Sequence, residues 1–156
     1  MEYKELIESF AERNGIDNII IEKGEATLVV DFTAVTIREA ENARAIIVSA
    51  VIGGFVPDSK GRLASFMLKA NHIFSTADAM TISLNPETDE YIVERTIPNS
   101  LADAESLTET VEAVADVAMD FREKVRAFVD VDMESSQDDD AEHEINPLFG
   151  GFFIRV

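Results

Sequence analysis

Two histidines, 31 acidic side chains and no cysteine are what this chain of 156 residues offers for chemistry near neutral pH. Histidine is the usual proton carrier in that range. His72 falls at the end of a helical stretch, where a cation suits the helix dipole, and His143 lies among acids in "DDDAEHE". Both read as structural or solvated groups. Without cysteine there is no thiolate ligand, no sulfur nucleophile and no disulfide, which fits a reducing cytoplasm. The stretch "DVDMESSQDDDA" sets Asp130, Asp132, Glu134, Ser136 and Asp138 at alternating positions, as a calcium loop does. It then has Ser135 where the tight turn needs glycine and Ala141 where a bidentate glutamate is needed, so it reads as an acidic spacer. Gly53 and Gly54 are not followed by G-K-[ST], no serine sits in G-x-S-x-G, and no spacing brings two carboxylates into one apolar pocket. These residue types point away from an enzyme, a metal site and a cofactor.

The elements that would hold any site follow from hydrophobic periodicity. In residues 1–14, Tyr3, Leu6, Ile7, Phe10 and Ala11 recur at helical spacing and predict a one-faced helix, with Gly15 as its left-handed stop. "NIII" (18–21), the turn "EKGE" and one long strand over "ATLVVDFTAVTI" (26–37) predict a hairpin. Its alternation puts Leu28, Val30 and Phe32 on one face and Thr27, Val29 and Asp31 on the other. "ARAIIVSAVIG" predicts a third strand and "GGFVPDSKG" a loop. Leu63, Phe66, Met67 and Ala70 predict a second helix from Arg62 to Asn71. Alternation in "AMTISL" (79–84) and "YIVERTI" (91–97), on either side of "NPETDE", predicts a second hairpin.

The last helix carries the strongest signal. Leu107, Val111, Val114, Ala118, Phe121, Val125 and Phe128 advance by alternating steps of four and three, an apolar seam of about six turns. It packs either on its own sheet or against a second subunit. The order α-β-β-β-α-β-β-α predicts an α+β sandwich, helices against an antiparallel sheet, over residues 1–130. An acidic linker (131–144) and an apolar tail (145–156) follow.

A formal charge of −18 makes the surface repel phosphate backbones and anionic lipid, so neither nucleic acid nor a membrane surface is expected as a partner. Even without Asp130–Glu144, which hold eight acids and no Lys or Arg, 23 acids face 13 bases. Such a charge keeps a protein soluble while it displays apolar surface. "MEYKELIESF" lacks the basic start and apolar run of a cleaved signal, and "AIIVSAVIGGFVP" is too short to span a bilayer.

The order "VSAVIGGFVPDSKGRLASFMLKANHIFSTADAMTISLNPETDEYIVERTIP" resembles the Tir chaperone family, the small acidic chaperones of bacterial type III secretion. A strand runs into the turn "GGFVP", a helix ends in "LKAN", two strands flank an acidic turn, and a long helix of the form "VADVAMDFREKV" follows. The resemblance covers about residues 1–130. YbjN-like regulatory domains, which would bind a folded partner, share the helix–asparagine–strand pattern.

The resemblance to the chaperones implies a cytoplasmic homodimer that binds an extended segment of a client, a secreted effector protein, without ATP or metal. Carried over to this chain, it places Leu63, Phe66, Met67 and Met80 at the dimer contact. It places Leu6, Ile7, Phe10 and Val29 along the client groove. The tail "INPLFGGFFIRV", with Leu148, Phe149, Phe152, Phe153 and Ile154, is an extension that the family pattern does not require. A short apolar segment on an acidic tether is itself like a client, so it is expected either to occupy a groove as a pseudo-ligand or to complete the sheet as a last strand.

Overall fold

The computed structural model describes residues 2–54, 61–72 and 80–135, with the side chains of the last helix described as far as Phe128. Helix α1 (Tyr3–Arg13) begins at a capping box in which Glu2 and Glu5 satisfy each other's main-chain amides. Gly15, at φ +65°, lets the chain turn away after Asn14, where a side chain would be strained. Strands β1 (Ile21–Glu22) and β2 (Glu25–Val30) join through Lys23 and Gly24, both at positive φ. Then come β3 (Thr33–Ala40), a 3-10 turn (Glu41–Ala43), β4 (Ala45–Gly54), α2 (Arg62–Ala70), β5 (Thr81–Asn85), β6 (Glu90–Pro98) and α3 (Ala104–Ser135). All neighbouring strands are antiparallel, in the order β1-β2-β3-β4-β6-β5.

The α+β architecture is the one expected, but the sheet has six strands where five were read. "ATLVVDFTAVTI" is not one strand. It folds back at Asp31 and Phe32, whose φ angles of 44° and 65° make a two-residue turn. Such turns favour Asn, Asp and Gly; Asp31 fits the pattern, but Phe32 does not, and the apolar alternation ran straight through the break. Phe32, read as sharing a face with Leu28 and Val30, instead sits at the hairpin tip and is 96% exposed.

Side chains alternate across the sheet as the pleat requires. Ala26, Val35, Ile37, Ile46, Val48, Ala50, Ile52, Ile82, Tyr91, Val93 and Ile97 point to one face and are buried there under the helices. Helix α3 supplies the other half of the core. Leu107, Val111, Val114, Ala118, Phe121 and Val125 of its seam are all buried within the same chain. The phase of the apolar residues is therefore used up by the chain's own sheet.

Where β4 bulges between Val51 and Gly53, Arg122 of α3 donates to the Val51 carbonyl at 2.6 and 3.2 Å and to the Thr33 hydroxyl at 3.0 Å. One guanidinium thus supplies a donor to the carbonyl at the bulge and ties α3 to two strands.

Helix α3 starts on Asp103, whose carboxylate accepts from the Ser106 amide at 2.8 Å while the Ser106 hydroxyl accepts from the Asp103 amide at 3.0 Å. The Ser106 main-chain and side-chain donors hold the Asp103 carboxyl below its usual value. A depressed pKa in the folded state gives stability that is present above the unfolded value of about 3.9 and is lost as pH falls through the folded value. Asp103→Ala is therefore expected to melt below the parent chain at neutral pH, with the gap closing as pH is taken below about 4. Thermal melts across pH check this, and a gap that stays constant into acid would contradict it.

Candidate functional site

Among the described residues, three concavities of a few hundred Å³ concern a ligand. The largest, about 430 Å³, lies on the sheet face away from the helices. Its lining mixes the charged Glu25, Arg38 and Glu94 and the polar Thr36, Ser49 and Ser83 with Ala34, Val51, Leu84, Pro86 and Ile92, so that it is about half polar and half apolar.

The second, about 300 Å³, runs between α1, α3 and β2. Phe10 and Asn14 come from α1, Ile16 from the turn after it, Leu28, Val29 and Val30 from β2, and Thr108 and Val111 from α3, with the exposed carboxylates Asp31 and Glu112 beside them. The sequence builds it in two ways. The apolar stripe of α1 packs Phe10 downward to form a floor, and the alternation of β2 leaves Val29 on the outside at 71% exposure. Strand β1 pairs only with Glu25 and Ala26, so Thr27–Val30 have no strand partner on that side among the described residues. Main-chain donors and acceptors on that stretch are left beside an apolar groove. An extended polypeptide uses such an edge: it adds a strand and drops alternate side chains into the pocket.

Helix α1, one wall of this groove, is tied down along its length. The Tyr3 hydroxyl donates to the Ile37 carbonyl at 2.7 Å. Burial pushes its phenol above the usual value; the Ala26 amide partly opposes this, and Glu25 and Glu39 add to the rise. At the other end Asn14 donates to the Phe10 carbonyl and to the Thr108 hydroxyl, each at 2.8 Å, and Arg13 meets Glu105 of α3 at 3.1 Å.

The third concavity, about 210 Å³, lies between α2 and β5 and is almost wholly apolar, formed by Ala64, Met67, Leu68, Ile82, Ser83, Leu84 and Tyr91. Beside it Asn71 mimics a strand. Its amide nitrogen donates to the Ile82 carbonyl at 2.8 Å, and its amide oxygen accepts from the Ile82 N–H at 2.7 Å. The outer edge of β5 is therefore closed at Ile82, and by the alternation of an antiparallel ladder only Leu84 turns the same groups outward.

Leu6, Ile7 and Phe10 are buried, and of these Phe10 reaches the second groove with Leu28 and Val30, whereas the register of β2 with β3 turns the Val29 side chain to the sheet face away from the helices, so Val29 borders the groove by its main chain. Leu63, Met67 and Met80 are buried in the protomer's own core, Met67 also lining the third groove, while the Phe66 ring packs on Phe121 and Phe128 at 5.9 and 5.1 Å between centroids. The sequence reading missed the exposed apolar residues of these surfaces: Phe32 at the hairpin tip, Leu68 at 71% exposure, and Leu84. Leu68 stands one step off the spacing of Leu63, Phe66, Met67 and Ala70, and that misfit was its signal. The tail residues 145–156 and His143 lie outside the described residues. No three of the His, Asp and Glu side chains converge as a metal site among the described residues, and no helix there is long and apolar enough to cross a membrane.

A six-stranded antiparallel sheet carrying three helices on one face is the fold of the type III secretion chaperones. The chain belongs to the Tir chaperone protein (CesT) family, whose sequence model matches residues 5–122. Its fold is similar to that of a chain in the HopA1–SchA chaperone–effector complex, with a TM-score of 0.64, 14% identity, and coverage of 78% of this chain and 93% of that one. It is also similar to a chain in the complex of the Yersinia pestis type III secretion chaperone SycH with a fragment of YscM2 (0.60, 16%, 77% and 99%). A chain in the heterodimeric ExoU–SpcU complex of the Pseudomonas aeruginosa type III secretion system is a further match (0.60, 9%, 74% and 94%). No curated protein matches the chain in sequence.

Proposed function

We propose that this protein is a cytoplasmic secretion chaperone that works without bond-making: as a homodimer it holds an extended segment of an effector-like client. The observation that carries the reading is the apolar groove beside Phe10, Leu28 and Val30, running along the unpaired edge of Thr27–Val30. Main-chain hydrogen bonds to that edge supply affinity for any sequence, and burial at about 25 cal/mol per Å² rewards apolar side chains at alternate positions. Phe32, displayed beside Asp31 of the groove lining, extends the apolar track. Membership of the family and the chaperone–effector complexes among its structural relatives support an effector as the client. For pairing, the apolar surface of Leu68 and Leu84 is the best-placed contact, with Leu63, Phe66, Met67 and Met80 behind it. Because Asn71 closes the edge there, subunits would meet through side chains rather than by a continuous sheet.

The test is co-expression with N-terminal fragments of the host's secreted proteins, in which an otherwise insoluble fragment should become soluble and co-purify. Val30→Asp, at the half-buried end of β2 where the side chain faces the groove, is expected to leave the circular dichroism of the chain unchanged and to weaken that complex by about thirtyfold, or about 2 kcal/mol, by setting an unpaired charge against an apolar segment. Titration calorimetry on the captured fragment reads the change, and equal affinities would remove the groove from the account. Size-exclusion with light scattering tests the pairing; a strict monomer at micromolar concentration would contradict it.

A further inference from the structure

We propose that the segment Ile145–Val156 seats its apolar side chains in the groove between α2 and β5 of its own chain. Three observations select this groove over the one beside α1. The first is reach. The Phe128 ring of α3 lies on Phe66 of α2, and the helix runs on to Ser135, about 10 Å further at 1.5 Å per residue. Leu148 follows 13 residues after Ser135 and can extend about 43 Å from it, ample slack to turn back onto Met67, Leu68 and Leu84. Val111, in the other groove, lies about 36 Å back along α3, close to the full extension of Leu148, so that only the later residues of the tail would reach it with slack.

The second is charge. Helix α2 (Arg62–Ala70) carries Arg62 and Lys69 and no acid, and β5 carries no charge, in a chain whose formal charge is −18. The linker between Asp130 and Glu144 holds eight acids and no Lys or Arg. The groove beside α1 shows the linker Asp31 and Glu112 instead. The third is the match of surfaces: Leu148, Phe149, Phe152, Phe153 and Ile154 are apolar, and so is the groove of Ala64, Met67, Leu68, Ile82, Leu84 and Tyr91.

A short linker holds its cargo at an effective concentration of around the mM range. A contact with an intrinsic dissociation constant of about 0.1 mM is then about nine-tenths occupied. Since this face is the one proposed for subunit pairing, the regulatory consequence rests on that reading: each pairing event must displace a tail, weakening self-association by about tenfold per subunit.

The chain has no cysteine, so introduced pairs report alone. In the full chain, Leu68→Cys with Phe152→Cys is expected to close a disulfide within one chain at least ten times faster than Glu112→Cys, on the rim of the groove beside α1, with Phe152→Cys under the same oxidant. Equal or reversed rates overturn the proposal, as does a disulfide found only between differently tagged copies. The full-length double variant Phe149→Asp/Phe152→Asp is then compared with the parent for self-association. Tightening of about tenfold per subunit ties the tail to pairing. A fast within-chain disulfide with no homodimer in either protein would keep the docked tail and refute the homodimer reading, so the two fail separately.

Discussion

Phe121→Ala is expected to lower the unfolding free energy by about 3–5 kcal/mol, the range for emptying a buried aromatic site. Phe121 is fully buried at the crossing of α3 and the core, with the Phe66 ring 5.9 Å away and the Lys124 ammonium 4.7 Å from its own centroid. Domains of this size are stable by only about 5–15 kcal/mol, so the variant would lose a fifth or more of what holds it folded. The lost contacts are also the ones that fix α2 against α3. Urea unfolding followed by circular dichroism measures the change as a lower midpoint at nearly constant slope. Phe121→Leu should recover most of it. A loss below about 1 kcal/mol for the alanine variant would mean that the seam of α3 does not hold the sheet.

The second large effect is expected at Asn71, where one side chain occupies both main-chain groups of Ile82. Asn71→Leu leaves a partly buried N–H and C=O without partners, at about 1–3 kcal/mol each, and nothing apolar is gained in return. The combined loss of about 2–6 kcal/mol corresponds to roughly 5–20 °C in melting temperature for a chain of this length. Asn71→Asp, which keeps the acceptor for the Ile82 N–H, should give a smaller drop. There is a second consequence: with its edge reopened, β5 becomes a template for another strand, and self-association should become concentration-dependent in a new way. An unchanged melting temperature would show that the amide closes nothing.

The helices were legible because their signal is local. A 3.6-residue repeat in Tyr3, Leu6, Ile7 and Phe10 needs no knowledge of what covers it, and the seam from Leu107 to Val125 marked the buried face of α3 but not its end, since the helix continues to Ser135 into the stretch read as an acidic linker. The second hairpin was legible for the same reason, its turn formers lying between two alternating runs. The break at Asp31–Phe32 was not, since a phenylalanine at positive φ is sterically disfavoured and carries no turn signature. The candidate site was half visible. Phe10 showed itself by helical spacing, but that it would meet Leu28 and Val30 while Val29 turns to the other face depends on how α1 lies across β2, and that is a tertiary fact. "LKAN" could be matched as a pattern; that its asparagine stands in for a strand only geometry reveals.

The tethers at both ends of α1, Tyr3 to Ile37 and Asn14 to Thr108, bear on kinetics. A wall pinned twice does not have to swing open before a peptide enters, so no slow conformational step precedes encounter. Observed association rates should then climb in proportion to peptide concentration without levelling off, and differences among sequences should show mainly in how long each one stays.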